Sequence, residues 1–359
     1  MKLKKIFAIA LCALTLTACS DDDDKDITFG RTEGEYYGGF TINQGNQGNN
    51  IPGSITNIDY EIGEAYQNAF RTANKRVLGD TPQSALIFGD KMYIAVYMSN
   101  TIEIVNKTTL KSEKTITLTG TGTQPRYMAG KGNYVYVSMF DGYVSRIDTR
   151  TLEIDKTIKV GPNPDEIAIA GDYLYVTNSD GMNYLNGYAD GFSVSKINLS
   201  TFTEEKKITV GMNPTKAVSN GSDVFVICMG DYSAQNPATL MRINTADDSV
   251  ESLFGATLMT ISGNNLYTVN APATWGSLEL TAPTYSVYSI TSKKKTDLKL
   301  ENIIQPIAIG VEPKSGHIFI SSYSVENGWS DPCMVNEYTA SGSFLKSYNA
   351  GIGASCLVF

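Results

Sequence analysis

The chain has 359 residues, of which 42% are hydrophobic, and this is enough apolar material for a sizeable core, so a wholly disordered chain is excluded. It carries 29 Lys and Arg against 37 Asp and Glu, a formal net charge of −8. Nucleic acid is not an expected partner, because phosphate binding requires a net basic face.

An export signal is predicted at the N-terminus. The stretch MKLKKIFAIALCALTLTAC begins with three Lys, continues with an apolar run too short to span a bilayer, and ends in LTAC. These last four residues resemble a bacterial lipobox, in which the signal is cleaved before the Cys and the new N-terminal Cys carries a lipid. The resemblance implies that residues 1–18 are a signal peptide and that Cys19 is lipidated. A signal with an incidental Cys is the alternative.

An acidic run, SDDDDKD, follows directly. Such a block cannot pack into a core, so residues 19–33 are predicted to be a solvated tether. A Ser and acidic run behind a lipidated Cys resembles the surface-export signal of Bacteroidota lipoproteins, which implies an outer-membrane protein that faces the cell exterior. A periplasm-facing lipoprotein with a polar linker is the alternative. Loss of the three signal-peptide Lys would leave 26 basic against 37 acidic residues, a net charge of −11.

A repeat with a spacing of 39 to 50 residues fills the rest of the chain. Each unit opens near a Gly-x-x-Pro segment, as in VGPNPDEIAIAGDYLYVTNSDG, and contains four short runs with β-type alternation and Gly, Asn or Asp turns. Four antiparallel strands in such a unit are the signature of a propeller blade. The seven anchors of the repeat are Pro82, Pro125, Pro164, Pro214, Leu258, Pro306 and Ala354.

The last unit contains only a first strand. Its segment GIGASCLVF has the shape of GPNPDEIAI, and the N-terminal runs YYGGFTINQGN, GSITNIDY and EAYQNAF are predicted to be the second, third and fourth strands of the same blade. Residues 34–359 are therefore predicted to be an all-β protein, a seven-bladed β-propeller with four antiparallel strands per blade and a C-terminal strand that closes the N-terminal blade. A helix is indicated only around Glu64–Ala73.

The loops that join second to third strands are predicted to share one face with the Gly-x-x-Pro segments. They include NSDGMNYLNGYADG, CMGDYSAQNPAT and SYSVENGWSDPC, whereas the opposite face has short turns such as AGDY. Aromatic rings supply area and amides supply directional hydrogen bonds, so this loop face is predicted to bind a large amphipathic ligand. The candidate residues are Asn43, Gln44, Asn46, Tyr97, Phe140, Tyr184, Tyr188, Tyr232, Trp275, Tyr323 and Trp329. Packing between blades is the alternative role, especially for Tyr97 and Phe140.

The residues behind the anchors are predicted to surround the mouth of the central channel. The ligand-binding candidates among them are Gln83, Arg126, Tyr127, Asp165 and Lys216, with Glu166 and Thr215 beside them. Strand alternation predicts that only one residue of each neighbouring pair faces the channel. An ion pair between Arg126 and Asp165 across adjacent blades is as good an interpretation as ligand contact.

The sequence contains no evident catalytic constellation, so an enzyme is not predicted. The only histidine, His317, falls on the face opposite the loops, which removes a Ser-His-Asp or Cys-His arrangement from the loop face. No Cys/His cluster has zinc spacing, no cofactor is required, and DGMNYLNGYADG fails the EF-hand pattern at Met182 and Tyr184. Carboxylate chemistry stays open, as does an irregular calcium site in that loop. Its ligands would be Asp180, Asn183, Asn186 or Asp190.

Three cysteines lie in the predicted propeller, and this odd number means that at least one is free. They are Cys228, Cys333 and Cys356. Exported proteins can form disulfides, so a bridge between Cys333 and Cys356 stays open, because the distance between the two residues is not given by the sequence.

The repeats resemble a known family. Units such as VGPNPDEIAIAGDYLYVTNSDG and LGDTPQSALIFGDKMYIAVYMSNTIEIVNKTTL are similar to the YncE-like surface-layer propellers of Bacteroidota. With LTACSDDDD in front of them, the chain resembles the BtuG group of that family, surface lipoproteins that capture cobalamin (vitamin B12) and cap the TonB-dependent transporter BtuB. The resemblance implies binding of cobalamin or another corrinoid on the loop face and transfer to a TonB-dependent transporter of the BtuB type. A glycan- or protein-binding surface module and a metal-dependent lactonase-like enzyme are the alternatives.

Overall fold

Seven antiparallel sheets of four strands each are arranged as the blades of a β-propeller. This computed structural model describes residues 31–272, 282–324 and 328–359. The predicted signal peptide, Cys19, most of the acidic tether and Trp275 lie outside the described residues. Residues 33–359 form one compact unit, and the blades are numbered here from the N-terminus.

The first four blades contain the following strands. Blade 1 has β1 (Gly39–Asn43), β2 (Ser54–Asp59) and β3 (Glu64–Tyr66), together with the last strand of the chain, β28 (Ala354–Val358). Blade 2 has β4 (Pro82–Phe88), β5 (Lys91–Val96), β6 (Thr101–Asn106) and β7 (Ser112–Thr117). Blade 3 has β8 (Pro125–Lys131), β9 (Tyr134–Met139), β10 (Tyr143–Asp148) and β11 (Glu153–Lys159). Blade 4 has β12 (Pro164–Ala170), β13 (Tyr173–Asn178), β14 (Ser193–Asn198) and β15 (Thr203–Thr209).

The remaining blades follow the same order. Blade 5 has β16 (Pro214–Ser219), β17 (Asp223–Cys228), β18 (Thr239–Asn244) and β19 (Val250–Phe254). Blade 6 has β20 (Leu258–Ser262), β21 (Asn265–Asn270), β22 (Thr284–Ser289) and β23 (Lys294–Leu298). Blade 7 has β24 (Pro306–Val311), β25 (Ile318–Ser322), β26 (Met334–Tyr338) and β27 (Phe344–Asn349). The described helices are α1 (Ala69–Asn74) and the 3-10 helices Gln47–Asn49 and Gly181–Asn186, and none of them is long and apolar enough to cross a membrane.

The ring closes as predicted. β28 pairs antiparallel with β1, so that Phe40 lies opposite Val358 and Ile42 lies opposite Cys356. An unpaired strand edge carries free N–H and C=O groups, and this pairing satisfies them in both terminal segments of the propeller. Every inner strand begins at its predicted anchor residue, from Pro82 to Ala354.

The outer part of blade 1 differs from the prediction. The run EAYQNAF forms a strand only over Glu64–Tyr66, and the chain turns at Asn68, which has φ 53°, into α1. Phe70 and Ala73 on one side of this short helix are buried in the hydrophobic cluster between blades 1 and 2. A helix buries both residues on one face, whereas an outer strand would direct alternate residues toward solvent.

In several blades, the glycine three residues before the inner strand lies close to the residue that ends a second strand. A Cβ at Gly161 would stand 2.3 Å from Asn178 Cγ, and a Cβ at Gly351 would stand 2.6 Å from Asn43 Nδ2. Both Asn side chains are fully buried, and each donates to two hydroxyl groups of the neighbouring third strand. The Gly–Asn contact therefore fixes the segment that connects two blades to the second of these blades.

The disulfide that the sequence left open is absent. Cys228, Cys333 and Cys356 are free thiols, and Cys333 Sγ accepts a hydrogen bond from the Ala354 N–H at 3.4 Å. Burial raises the pKa of Cys228 to about 12 and the pKa of Cys356 to about 11. Both thiols are therefore protonated at neutral pH and unreactive as nucleophiles.

Gly161→Ala is predicted to destabilise the propeller by about 1–3 kcal/mol, because a methyl group in this packed contact forces Asn178 to move. The free energy of unfolding from urea denaturation measures the effect. Gly48→Ala is the matched control, since Gly48 lies in an exposed 3-10 helix where a Cβ would meet only Asn46 Oδ1, at 3.4 Å. Equal stability of the two variants would contradict the proposed role of the Gly–Asn contact.

Candidate functional site

One backbone hydrogen bond recurs at the mouth of the channel. In six blades, the first residue after the second strand donates its N–H to the carbonyl that precedes the inner strand, over 2.9–3.2 Å. In blade 6 the Ala271 N–H donates instead to Thr257 Oγ1. We call the seven donor residues the mouth ring, and they are Gln44, Tyr97, Phe140, Ser179, Met229, Ala271 and Tyr323. Four sequence-predicted site residues thus occupy equivalent positions beside the inner strands.

The inner strands carry a β-bulge next to these positions. In blade 3 the pairing register shifts between Pro125 and Met128, and comparable shifts occur in five other blades. A bulge adds an unpaired residue and changes the direction of the side chains. Arg126 Nη1 donates to Gln83 Oε1 at 3.1 Å, and Tyr127 Oη accepts from Gln83 Nε2 at 3.2 Å. Both neighbours therefore project toward the same residue, so the simple alternation expected from the sequence does not hold here.

Arg126 joins blades 3 and 4 at the mouth. Its Nε and Nη2 donate to the two Asp165 oxygens at 3.0 and 3.2 Å, which is a bidentate ion pair. The guanidinium also lies 4.8 Å from the ring centroid of Phe140 and 5.3 Å from that of Tyr97. Side-chain exposure is 18% for Arg126 and 9% for Asp165, so the pair is largely removed from water. Burial opposes the charge of Arg126, but Asp165 together with Tyr127 and Tyr97 outweighs burial and raises the pKa of Arg126.

A polar network extends from this ion pair across four blades. Gln44 Nε2 of blade 1 donates to Gln83 Oε1 of blade 2 at 3.2 Å, and the same oxygen accepts from Arg126. Tyr97 and Phe140 contact each other edge to face, with centroids 5.9 Å apart. These two aromatic residues therefore pack against each other between blades 2 and 3, as in the alternative that the sequence left open.

A second group of predicted residues meets where the loops of blades 7 and 1 adjoin. Asn46 Nδ2 donates to the Trp329 carbonyl oxygen at 2.9 Å, and the Trp329 ring lies 6.5 Å from the ring of Tyr323 at a tilt of 62°. Asn49 Nδ2 adds a hydrogen bond to Ser330 Oγ at 3.2 Å. The Trp329 side chain is nevertheless 73% exposed, so these contacts hold its backbone while leaving the indole in solvent.

The long loop 179–192 of blade 4 is held by its own polar groups. Asp180 is buried, and its Oδ2 accepts from Asn183 Nδ2 and from the Asp190 N–H, both at 2.9 Å. The candidate calcium ligands thus bond to one another. Among the described residues, no group of three or more His, Cys, Asp or Glu could hold a metal ion.

The two tyrosines of this loop have different surroundings. Tyr184 is 55% exposed on the 3-10 helix, beside the exposed Met182 and Leu185. Tyr188 is only 5% exposed and has φ 54°, so it supports the loop from inside and does not form a wall that a ligand could contact. Asn43 is likewise fully buried as the partner of Gly351, and it has no surface to offer a ligand.

The other candidates lie nearer the channel. Tyr232 borders a pocket of about 210 Å³ whose lining includes Met229, Pro237 and Ala238. Lys216 and Tyr127 line a cavity of about 150 Å³ inside the channel. Sequence reasoning missed Met229, because a thioether in a loop has no polar pattern. It also missed the part of the cavity formed by the last strand, which the Gly-x-x-Pro spacing could have indicated.

The ring of four-stranded sheets, with long loops confined to one face, defines this protein as a seven-bladed β-propeller with one elaborated surface. The chain belongs to the family described as a domain of unknown function, DUF5074, which matches residues 37–339. No curated protein matches the sequence.

Solved structures with this fold include two bacterial proteins. A putative 6-phosphogluconolactonase from Bacteroides fragilis is 15% identical, with a TM-score of 0.62, and the match covers 91% of this chain and 98% of that one. Hydrazine synthase from Kuenenia stuttgartiensis is also 15% identical, with a TM-score of 0.62, over 77% of this chain and 88% of that one. At such low identity these similarities show the shared fold alone.

Arg126→Met is predicted to lower the free energy of unfolding by about 3–5 kcal/mol, because it leaves the buried Asp165 carboxylate without a partner. The double variant Arg126→Met with Asp165→Asn should recover part of this loss. Lys131→Met removes a surface pair with Asp172 and should leave the urea midpoint almost unchanged. If Arg126→Met were as stable as the Lys131 variant, the ion pair would not be a structural link between blades.

Proposed function

We propose that this protein is a cell-surface lipoprotein that binds cobalamin or a related corrinoid on the loop face and passes it to a TonB-dependent outer-membrane transporter. The observation that carries the ligand proposal is the exposure of large aromatic side chains on that face, 73% for Trp329 and 55% for Tyr184. Exposed aromatic residues on braced loops offer contact area at a low cost in conformational entropy.

The shape and chemistry of a corrinoid fit this surface. The macrocycle is wide and flat and carries many amides at its periphery. The loop face offers the indole of Trp329 and the phenol of Tyr184 for stacking, and the amides of Gln44 and Asn46 lie near the mouth for directional hydrogen bonds. Neither a protein ligand to cobalt nor a cofactor is required for such binding.

Delivery to a transporter rests on two features. The LTAC and SDDDD segments support lipidation at Cys19 and display outside the outer membrane, where the acidic tether would let the propeller move as a lid. The exposed side chains of Met182 and Leu185 on the loop face give it apolar surface that a protein partner could bury. We propose a binding role without catalysis.

Titration of the purified protein with cyanocobalamin by calorimetry tests this function. Trp329→Ala and Tyr184→Ala are each predicted to weaken binding about ten-fold, which is typical for an aromatic anchor at an interface. Tyr66→Ala is the matched control, because Tyr66 is 47% exposed but lies on the outer strand β3. The Tyr66→Ala variant should bind cyanocobalamin with the affinity of the unmodified protein.

Three results would contradict the proposal in different ways. Absence of heat at micromolar cyanocobalamin would exclude corrinoid capture. Saturable binding of oligosaccharides in its place would identify a glycan-binding module. Lactone hydrolysis that depends on a divalent metal would identify an enzyme, the third class that the sequence left open.

A further inference from the structure

The cavity inside the channel has a composition unlike that of the loop face. Its volume is about 150 Å³, and it is lined by residues of the inner strands β8, β12, β16, β20, β24 and β28. It therefore lies inside the channel. More than half of the lining residues are apolar, among them Val218, Leu258, Ile309 and Leu357. The polar lining residues are Tyr127, Glu166, Lys216, Thr260 and Ser355.

Lys216 is the single cation of this lining. Within the part of the chain that the structure describes, its ammonium has neither an ion pair nor a hydrogen bond, and the Tyr127 ring centroid lies 5.7 Å from Nζ. Burial opposes the charge, but the electrostatic effect of Tyr127, Glu166 and Asp165 outweighs burial and raises the pKa of Lys216. The cavity thus contains a permanent positive charge whose hydrogen-bonding capacity is unused.

Glu166 does not neutralise this charge by direct contact. It is the single carboxyl group of the lining, and its Oε2 accepts from the Ala217 N–H at 2.8 Å. Burial raises the pKa of Glu166, which disfavours the ionised form. The described residues contain no ion pair between Glu166 and Lys216, so the hydrogen-bond donors of the ammonium remain available to a ligand.

Two hydroxyl groups add donors beside Lys216. The Tyr127 hydroxyl accepts from Gln83 Nε2, and no described residue accepts its own proton. Burial raises the pKa of Tyr127, so the phenol stays protonated. Ser355 Oγ is buried and has no hydrogen-bond partner among the described residues. An ammonium and two free hydroxyl donors on one small cavity are the groups that recognise an oxyanion.

We propose that the channel cavity is a binding site for a short-chain monocarboxylate, with its carboxylate held by Lys216, Tyr127 and Ser355. Its apolar chain would pack against Leu258 and Ile309. The cavity volume is sufficient for a ligand of a few carbon atoms. This site is separate from the exposed aromatic surface of the loop face and does not depend on the proposed corrinoid function.

The charge of the preferred ligand follows from the single cation of the lining. A dianion such as phosphate would leave one negative charge without a cation, whereas a monoanion is balanced by Lys216 alone. A neutral amide of the same shape would lose the charge-assisted hydrogen bond, which is about twice as strong as a neutral one. The proposed order of affinity is therefore monocarboxylate above neutral amide and above inorganic phosphate.

Sodium butyrate is a suitable probe, with butanamide as its uncharged counterpart. Ligand-observed NMR on the purified protein should show saturable butyrate binding and at least ten-fold weaker binding of butanamide and of inorganic phosphate. Lys216→Met should weaken butyrate binding at least ten-fold. Lys159→Met is the matched control, since Lys159 is an exposed residue on β11, and it should bind butyrate like the unmodified protein.

A second variant keeps the test independent of any folding defect in Lys216→Met. Glu166→Gln keeps an uncharged group at this position, and its amide oxygen can still accept from the Ala217 N–H, so this variant should bind butyrate at least as tightly as the unmodified protein. The proposal is overturned by absence of butyrate binding, by equal binding of butanamide, by tighter binding of phosphate, or by weaker butyrate binding in Glu166→Gln. None of these results bears on cyanocobalamin binding at the loop face.

Discussion

The pairing of β28 with β1 is the constraint on which the other features depend. It brings the last residues of the sequence into the first blade and gives β1 a second hydrogen-bonded neighbour. The same strand supplies Ser355 and Cys356 to the channel wall, and its preceding carbonyl, from Gly353, accepts the N–H of Gln44 in the mouth ring. Without this closure, neither the mouth nor the channel cavity would be complete.

A closed ring also explains why the two faces differ. The inner strands, the Gly–Asn contacts and the repeated carbonyl hydrogen bond hold the start of each second-to-third-strand loop, so the rest of each loop can vary in length without disturbing a blade. The ion pair of Arg126 with Asp165 adds rigidity where the mouth would otherwise be polar and hydrated. The loops that contain the exposed Trp329 and Tyr184 therefore begin at rigidly held positions.

Much of this architecture is predictable from the sequence, because the blade repeat determines which strands pair. The seven anchors, the closure and the confinement of long loops to one face follow from spacing alone. The direction of individual side chains does not follow from the spacing of the repeat. Asn43 and Tyr188 are residue types common in binding sites, but contacts within their own blade or loop bury them. The bulge at Arg126 depends on backbone geometry, which a simple alternation of side chains does not describe.

Hydrogen exchange of backbone amides, measured with and without saturating cyanocobalamin, tests most directly the claim that this propeller captures its ligand on the loop face. We expect slower exchange in loops 44–53 and 179–192 and no change in the turns of the opposite face, such as 171–172 and 199–202. Slower exchange confined to the opposite turns, or unchanged exchange everywhere at saturating ligand, would contradict it.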